Sequence, residues 1–307
     1  MNTHNDISLA QWSLIEEWRA GKWKTLDFPH LARQDFGLNG IELVNTLFEV
    51  PTEAYLRQLR NNAATHGITI VLIMVDDEGD GCSPTKEGQK EFALFHRKWV
   101  DIAHYLGCHA IRTNCRGPQP LDKPQPLDKP QPLDKPQPLD KPQPLDKPQP
   151  LDKPETLNKP QPLDKPQPLD KPQPLNKTEA LNWAAESYRN LLEYAKPTGI
   201  KILIENHGGV SNDPDWIVEL MKRVNDPSFG TYPDWREPTT EFDNLTYLKK
   251  TLPYAKGMSY RNQPTDELSV RMIGLCRQSG FHGWYGIENG GRDQIQKAIR
   301  LLKAHLV

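Results

Sequence analysis

Acidic residues stand at the ends of three short apolar runs in the second half of the chain. Glu205 ends the run 202–205, Asp234 follows 229–232, and Glu288 ends 284–288. The intervals of 29 and 54 residues correspond to one and two strand–helix units of a parallel α/β fold. Carboxylates gathered in a pocket of low dielectric repel one another, and a divalent cation relieves that repulsion. Oxygen ligands favour Mn²⁺ or Mg²⁺, with Co²⁺ or Zn²⁺ as alternatives. The alternative interpretation is that the three carboxylates are solvated and bind no metal ion.

Other polar residues follow the same apolar runs. His207 is two residues past Glu205, where it could bind the metal, donate to a substrate or support a ligand. Arg112 and Asn114 lie at the end of an earlier run and are candidates to bind substrate oxygens or to anchor a loop. The acidic segment 76–80 lacks the twelve-residue EF-hand pattern, so we interpret it as a solvated loop.

These residues need a scaffold that brings the ends of strands together. Short apolar runs alternate with longer helical patterns that begin at capping residues and end at glycine, which is typical of repeated βα units. The predicted strands are 7–14, 40–44, 68–75, 110–113, 201–205, 229–232, 255–260 and 283–288. The predicted helices are 28–36, 52–66, 85–106, 178–196, one from 213 onward, 245–252, 267–279 and 293–307. Eight units predict a (β/α)₈ TIM barrel, whose active site lies at the carboxyl ends of the strands. The competing open doubly wound sheet would carry a glycine-rich phosphate loop, and none follows the first strand.

A proline-rich repeat interrupts the pattern after the fourth predicted strand. Residues 117–176 are ten successive hexapeptides of the type Lys-Pro-Gln-Pro-Leu-Asp, and they hold 19 of the 29 prolines. Two prolines per hexapeptide exclude helix and central strand, so the repeat is predicted to be polyproline II or disordered. Removing these 60 residues from the 307 leaves 247, close to the ~250 of a single barrel. The predicted domain therefore consists of 1–116 and 177–307, with 117–176 as an insertion.

Charge and cysteine content exclude several classes of protein. The formal net charge is −2, which gives no electrostatic footprint for nucleic acid or for an anionic membrane. The four cysteines show no spacing typical of a zinc or redox motif. The first residues lack the pattern of a signal peptide, and no apolar stretch reaches the ~20 residues of a membrane span. We expect a cytoplasmic protein that acts on a small molecule and that could form a homo-oligomer.

Several motifs resemble the sugar phosphate isomerase/epimerase family, whose members have the xylose-isomerase-like TIM barrel. The resemblance is carried by 8–14, 40–45, 96–100, 106–108, 112–114, 205–209 and 213–216. Its most specific stretch is Glu-Asn-His-Gly-Gly at 205–209. The resemblance implies a divalent-metal site, for which Glu205, Asp234 and Glu288 match three ligand positions. Ketose epimerases of this superfamily have a histidine at the end of strand seven, whereas this chain has Ser259 there. Similar sequences commonly have serine at this position as well, followed two residues later by lysine, where this chain has Arg261.

The resemblance implies an isomerase or epimerase acting on a sugar, a sugar phosphate or a related polyol. A base would remove a proton from the carbon next to a carbonyl, a metal would stabilise the enediolate, and Glu205 and Glu288 are the candidate acid/base groups. His207, Arg112, Asn114 and Arg261 are the candidate substrate-binding residues. A superfamily dehydratase would share the first step. The missing histidine also leaves open a non-catalytic barrel that binds a sugar or serves as a scaffold.

Overall fold

The computed structural model describes residues 6–117, 176–236 and 243–306. Eight parallel strands form one sheet in the order β6-β5-β4-β3-β2-β1-β8-β7. Two isolated parallel bridges, Thr231 to Ala255 and Asp234 to Ser259, join the two edges of this sheet. The (β/α)₈ TIM barrel predicted from the sequence is therefore confirmed. The predicted structure of the repeat insertion lies outside the described residues.

The described strands are short, and almost every strand residue is buried. They are β1 Asp6–Ala10, β2 Gly40–Val44, β3 Thr69–Met74, β4 Ala110–Thr113, β5 Lys201–Ile204, β6 Phe229–Thr231, β7 Met258–Tyr260 and β8 Trp284–Ile287. The helices are α1 Ile15–Arg19, α2 Phe28–Phe36, α3 Glu53–Thr65, α4 Lys86–Leu106, α5 Lys177–Ala195, α6 Pro214–Val224, α7 Asn244–Thr251, α8 Asp266–Gln278 and α9 Arg292–His305. Burial on both faces explains why the strands read as continuous apolar runs rather than alternating ones. No helix within the described ranges is both long and apolar enough to cross a bilayer.

The first strand differs from its prediction. It was expected to span 7–14, but it ends at Ala10 and is followed by a 3₁₀ turn, Gln11–Leu14, and by α1. The Gln11 side chain donates to Thr25 Oγ1 at 3.0 Å and accepts from the Val44 backbone N–H at 2.7 Å. These long-range hydrogen bonds turn the chain out of the sheet, and nothing local in the apolar run signals them.

A buried carboxyl group, Glu42 of β2, lies in the barrel interior. Ser8 Oγ donates to Glu42 Oε1 at 2.9 Å, and the Tyr232 hydroxyl donates to Oε2. A Cβ atom on Gly286 of β8 would lie 2.1 Å from Glu42 Oε2, so only glycine leaves room for this carboxyl group. Burial, opposed by the hydrogen bonds from Tyr232 and Ser8, raises the pKa of Glu42 to about 7.

The barrel holds both points at which the chain enters and leaves the repeat. On the first side, the Asp80 carboxylate accepts from the backbone N–H of Arg116 at 2.7 Å and of Gly117 at 3.1 Å. On the second side, Lys177 Nζ lies 2.6 Å from Asp213 Oδ2, and Trp216 Nε1 donates to the Lys177 carbonyl at 3.1 Å. We call these two fixed segments, 116–117 and 176–177, the roots of the repeat.

Candidate functional site

The carboxyl ends of strands β3 to β8 bring the predicted polar residues to one rim of the barrel. Arg112 belongs to β4, Glu205 directly follows β5, and Glu288 directly follows β8. Asp234 pairs with Ser259 of β7 across the barrel seam. The three carboxylates predicted from their spacing lie close together, and the negative charges of Asp234 and Glu288 disfavour ionisation of Glu205.

Glu205 and Arg112 form an ion pair that is almost inaccessible to solvent. Arg112 Nε lies 2.9 Å from Glu205 Oε2, and the two side chains are 2% and 1% exposed. The pair lacks the alignment of a hydrogen bond, and neither of these two atoms has another hydrogen-bond partner among the described residues. Burial, aided by the charges of Asp234 and Glu288 and opposed by Arg112, raises the pKa of Glu205 to about 8. A carboxyl group that ionises near neutral pH is suited to general acid–base chemistry.

Asp234 is held by two guanidinium groups and by an amide. Arg261 Nε donates to Asp234 Oδ1 at 2.7 Å, and Arg236 Nη2 donates to Oδ2 at 2.6 Å. The Asn206 side chain donates to the Asp234 carbonyl at 2.9 Å and accepts from its N–H at 2.7 Å. These amide hydrogen bonds fix the backbone of Asp234 against the loop after β5, which explains the asparagine between Glu205 and His207.

Glu288 shares one of these arginines with Asp234. Arg261 Nη2 donates to Glu288 Oε1, and Ser259 Oγ donates to Oε2 at 2.9 Å. Burial, opposed by the charge of Arg261, raises the pKa of Glu288. The serine at the end of strand seven thus points at the carboxylate cluster, as its position in the sequence suggested.

Asp76 joins the site, although the sequence analysis placed it in a solvated loop. Asp76 lies two residues after the end of β3. Its carboxylate accepts hydrogen bonds from Arg112 Nη1 at 2.6 Å and from Asn114 Nδ2 at 2.7 Å. Burial would raise the pKa of Asp76, but the charge and hydrogen bond of Arg112 outweigh it and lower the pKa to about 2. The interpretation of 76–80 as a purely solvated loop is therefore wrong for Asp76. The rule that identified Glu205, a carboxylate directly after a buried run, would have found Asp76.

His207 is oriented by an arginine that sequence reasoning missed. Arg116 Nη2 donates to His207 Nδ1 at 2.5 Å, and Arg116 Nε donates to the His207 carbonyl at 2.9 Å. An accepting Nδ1 leaves the proton of the neutral ring on Nε2. Burial and the charges of Arg112, Arg236 and Arg116 lower the pKa of His207 to about 4, so the ring is neutral at physiological pH. His207 can therefore donate one hydrogen bond from Nε2.

The donor set does not fit a divalent cation as it is arranged. Within the described ranges, no group of three or more His, Cys, Asp or Glu side chains is placed to hold a metal ion. Both oxygens of Asp234 and both of Glu288 already accept hydrogen bonds, and Glu205 Oε2 faces Arg112. A metal site built from Glu205, Asp234 and Glu288 stays a prediction of the sequence.

Comparison with known proteins agrees with this architecture. A family model described as a xylose isomerase-like TIM barrel matches residues 158–255. A D-psicose 3-epimerase from Clostridium cellulolyticum H10 has a TM-score of 0.67 at 13% identity, covering 98% of this chain and 99% of the other. This chain has a TIM-barrel fold, and part of it is similar to the xylose isomerase-like family.

Other solved structures have the same fold. A 3-keto-D-glucoside 4-epimerase from E. coli has a TM-score of 0.65 at 9% identity, covering 98% of each chain. A sugar phosphate isomerase/epimerase from Parabacteroides distasonis ATCC 8503 has a TM-score of 0.61 at 14% identity, covering 99% of this chain and 95% of the other. A search of curated proteins gives no match. At these identities the likeness establishes the fold alone.

Proposed function

We propose that this protein is a sugar isomerase or epimerase that works through an enediolate. The observation that carries the proposal is the pair of buried carboxyl groups, Glu205 and Glu288, at a rim where three arginines balance the negative charge. Proton transfer next to a carbonyl needs a base shielded from water and cations near the oxygen that becomes negative. The solved neighbours described as sugar epimerases support the same class of reaction.

In the proposed reaction, Glu205 removes the proton from the carbon next to the carbonyl. Glu205 Oε2 lies 2.9 Å from Arg112 Nε but accepts no aligned hydrogen bond in the described part of the chain, whereas both oxygens of Glu288 do, so Glu205 is the more available of the two bases. The electron pair of the C–H bond moves into a new carbon–carbon double bond, and the carbonyl oxygen gains the negative charge. Returning the proton to the other face of the same carbon gives the epimer. Returning it to the former carbonyl carbon gives the isomer, provided that the hydroxyl proton of the first carbon also moves to the former carbonyl oxygen. Glu288 is the candidate donor for that second transfer.

Several polar groups of the rim support a hydroxylated substrate. His207 Nε2 and the partly exposed Arg261 are the donors that we assign to sugar oxygens. Arg112 and Asn114 hold Asp76, so we assign them mainly to positioning Glu205 and the loop after β3. No step of this proposal passes through a metal ion.

The test is exchange of substrate carbon-bound hydrogen with solvent. A panel of aldoses, ketoses and their phosphates is incubated with the protein in D₂O, and deuterium at the carbon next to the carbonyl is followed by NMR. We expect exchange with at least one sugar, and a fall in rate of about 10²-fold to 10⁴-fold in Glu205→Gln and Glu288→Gln. Glu219→Gln, on the exposed side of α6, is the matched control and should exchange at the wild-type rate. Absence of exchange with every sugar would overturn the proposal.

One observation favours a second candidate, a barrel that binds a sugar without turning it over. Every oxygen of Asp234 and Glu288 is occupied by a protein donor, which also suits a purely structural network. Sugar binding by calorimetry without deuterium exchange would support that candidate. A dehydratase would instead show exchange together with loss of water from the substrate, which mass spectrometry detects.

A further inference from the structure

We propose that the guanidinium group of Arg261 takes the place that the sequence analysis assigns to a divalent cation, so that this rim functions without a metal ion. The inference rests on the proposed function, because it names the group that stabilises the enediolate oxygen. The resemblance to the sugar phosphate isomerase/epimerase family implies a divalent metal bound by Glu205, Asp234 and Glu288, and this chain differs from that arrangement.

Arg261 joins two carboxylates of the rim through one planar group. Its Nε lies 2.7 Å from Asp234 Oδ1, and its Nη2 contacts Glu288 Oε1. One planar group thereby joins carboxylates that follow two different strands, β6 and β8, from a position just past β7. A metal ion at this rim would join the same two residues. The fork of donors in arginine matches two carboxylates in a way that a point charge does not.

Arginine side chains already compensate the negative charges of the rim. The three carboxylates of Glu205, Asp234 and Glu288 face the three guanidinium groups of Arg112, Arg236 and Arg261. These six groups carry no net charge when all are ionised, and Asp76, which pairs with Arg112, brings the whole network to −1. A divalent cation would have to displace Arg261 from two oxygens and lie beside the remaining arginines, which Coulomb repulsion disfavours.

The ligand set at the end of β7 is also unsuited to a metal ion. The superfamily position for a histidine holds Ser259, whose hydroxyl donates its proton to Glu288 Oε2 at 2.9 Å. A hydroxyl group that already donates a hydrogen bond is a weak metal ligand. Here the Ser259 hydroxyl completes the hydrogen bonding of Glu288, which Arg261 already contacts. The serine and the arginine two residues later therefore act together.

Arg261 keeps one nitrogen that can contact a substrate. Nε and Nη2 are engaged, Nη1 has no partner among the described residues, and the side chain is 32% exposed. Nη1 can donate to the carbonyl oxygen of a sugar. When Glu205 takes the proton and the electron pair moves into the carbon–carbon bond, the charge that develops on that oxygen is stabilised by a guanidinium that stays protonated.

The experiment measures Mn²⁺ binding directly, so it does not depend on activity. Full-length protein is stripped with EDTA, returned to Mn²⁺ in buffer without chelator, and analysed for bound and free Mn²⁺ by electron paramagnetic resonance. The wild type should hold far less than one ion per chain. Arg261→Met should bind Mn²⁺ at least about tenfold more tightly, because Asp234 and Glu288 lose the cation that joins them. The comparison variant is Arg236→Met. In the described part of the chain the Arg236 side chain holds one oxygen of Asp234 and joins no second carboxylate, so its removal should raise Mn²⁺ affinity by less than Arg261→Met does.

A second variant controls for misfolding. Arg261→Lys keeps a positive charge at the rim without the fork that joins two carboxylates, so its Mn²⁺ affinity should lie between those of the wild type and Arg261→Met, with an unchanged circular dichroism spectrum. Where exchange activity is found, we expect it to be insensitive to EDTA in the wild type and reduced about 10²-fold to 10³-fold in Arg261→Met. Tight binding of Mn²⁺ by the wild type, or an equal gain of binding in Arg261→Met and Arg236→Met, would overturn the inference. Lack of exchange with every sugar would instead count against the proposed function alone, because the Mn²⁺ measurement remains decisive.

Discussion

Glu42 and Glu205 are both buried glutamates with a raised pKa, and their partners distinguish their roles. Glu42 receives hydrogen bonds from both Ser8 and Tyr232, which fix its carboxyl group inside the barrel. Within the described residues, Glu205 Oε2 has the misaligned ion pair with Arg112 and no hydrogen-bond donor, and Glu205 lies at the rim. A carboxyl group whose two oxygens are held by hydroxyl donors serves packing and orientation, whereas one without a donor is free to exchange a proton with a ligand.

The first prediction concerns the pH dependence that Glu42 gives to stability. Its pKa is about 7 in the folded protein and about 4.5 when unfolded. The folded state therefore keeps a proton that the unfolded state loses between these values. The contribution of Glu42 is fully present below pH 4.5 and is lost as the pH rises through about 7. The loss amounts to at most about 3 kcal/mol.

Glu42→Gln removes this titration while it keeps the shape of the side chain. We expect the melting temperature of the variant, relative to wild type, to be higher at pH 8 than at pH 5. Thermal unfolding followed by circular dichroism at the two pH values measures the difference. Glu193→Gln, an exposed change on α5, should show no such pH dependence. An identical offset at both pH values would contradict the raised pKa of Glu42.

The sequence predicted where the carboxylates of the rim lie but not what they contact. The position of Glu205, Asp234 and Glu288 follows from strand ends alone, because parallel strands of a barrel end at one face. Their pairing with arginines depends on the register between strands, and Arg261 reaches Glu288 only because β7 lies beside β8. Such tertiary contacts leave no local pattern, and the contact of Arg261 with both Asp234 and Glu288 could not be predicted from spacing.

At the scale of elements, capping residues predicted the helix starts well. Thr52, Thr85 and Asp213 each precede a helix, and each side chain accepts from a backbone N–H of the first turn. Caps act over three residues, so the sequence shows them directly. The short helix α1 was missed because its position follows from the hydrogen bonds of Gln11, whose partners are distant in sequence.

The second prediction tests the cap of α6. The Asp213 carboxylate accepts from the backbone N–H groups of Asp215 and Trp216 and pairs with Lys177. We expect Asp213→Ala to lower the free energy of unfolding by about 1 kcal/mol, since the first turn loses its acceptor. Urea denaturation measures this change, with Glu219→Ala on the same helix as the control. Equal effects of the two substitutions would show that the cap contributes nothing specific.

At the scale of the whole molecule, the barrel is built from two stretches of chain that the repeat separates. Strand β4 and helix α5 flank the repeat in sequence, and the described residues on both sides belong to one compact unit. The hydrogen bonds of Asp80 at one root and of Asp213 and Trp216 at the other come from the barrel itself. The geometry of both roots therefore depends on barrel residues.

The third prediction is that the barrel folds without the repeat. Residues 118–175 are deleted and the roots are joined by a short Gly/Ser linker. The entropy of loop closure changes only logarithmically with length, so shortening the connection should be neutral or stabilise the protein by up to about 2 kcal/mol. Thermal unfolding should give a melting temperature equal to that of the wild type or a few degrees higher. A marked fall would mean that the repeat itself stabilises the barrel.

The fixed roots also bear on how this gene can change over time. A tandem repeat in DNA gains and loses copies by slippage during replication, and whole hexapeptides leave the reading frame intact. Because Asp80, Asp213 and Trp216 hold the chain outside the repeated unit, a change in copy number alters none of their contacts. Selection on the barrel therefore places little constraint on the number of hexapeptides, and the repeat can lengthen or shorten while the rim stays the same.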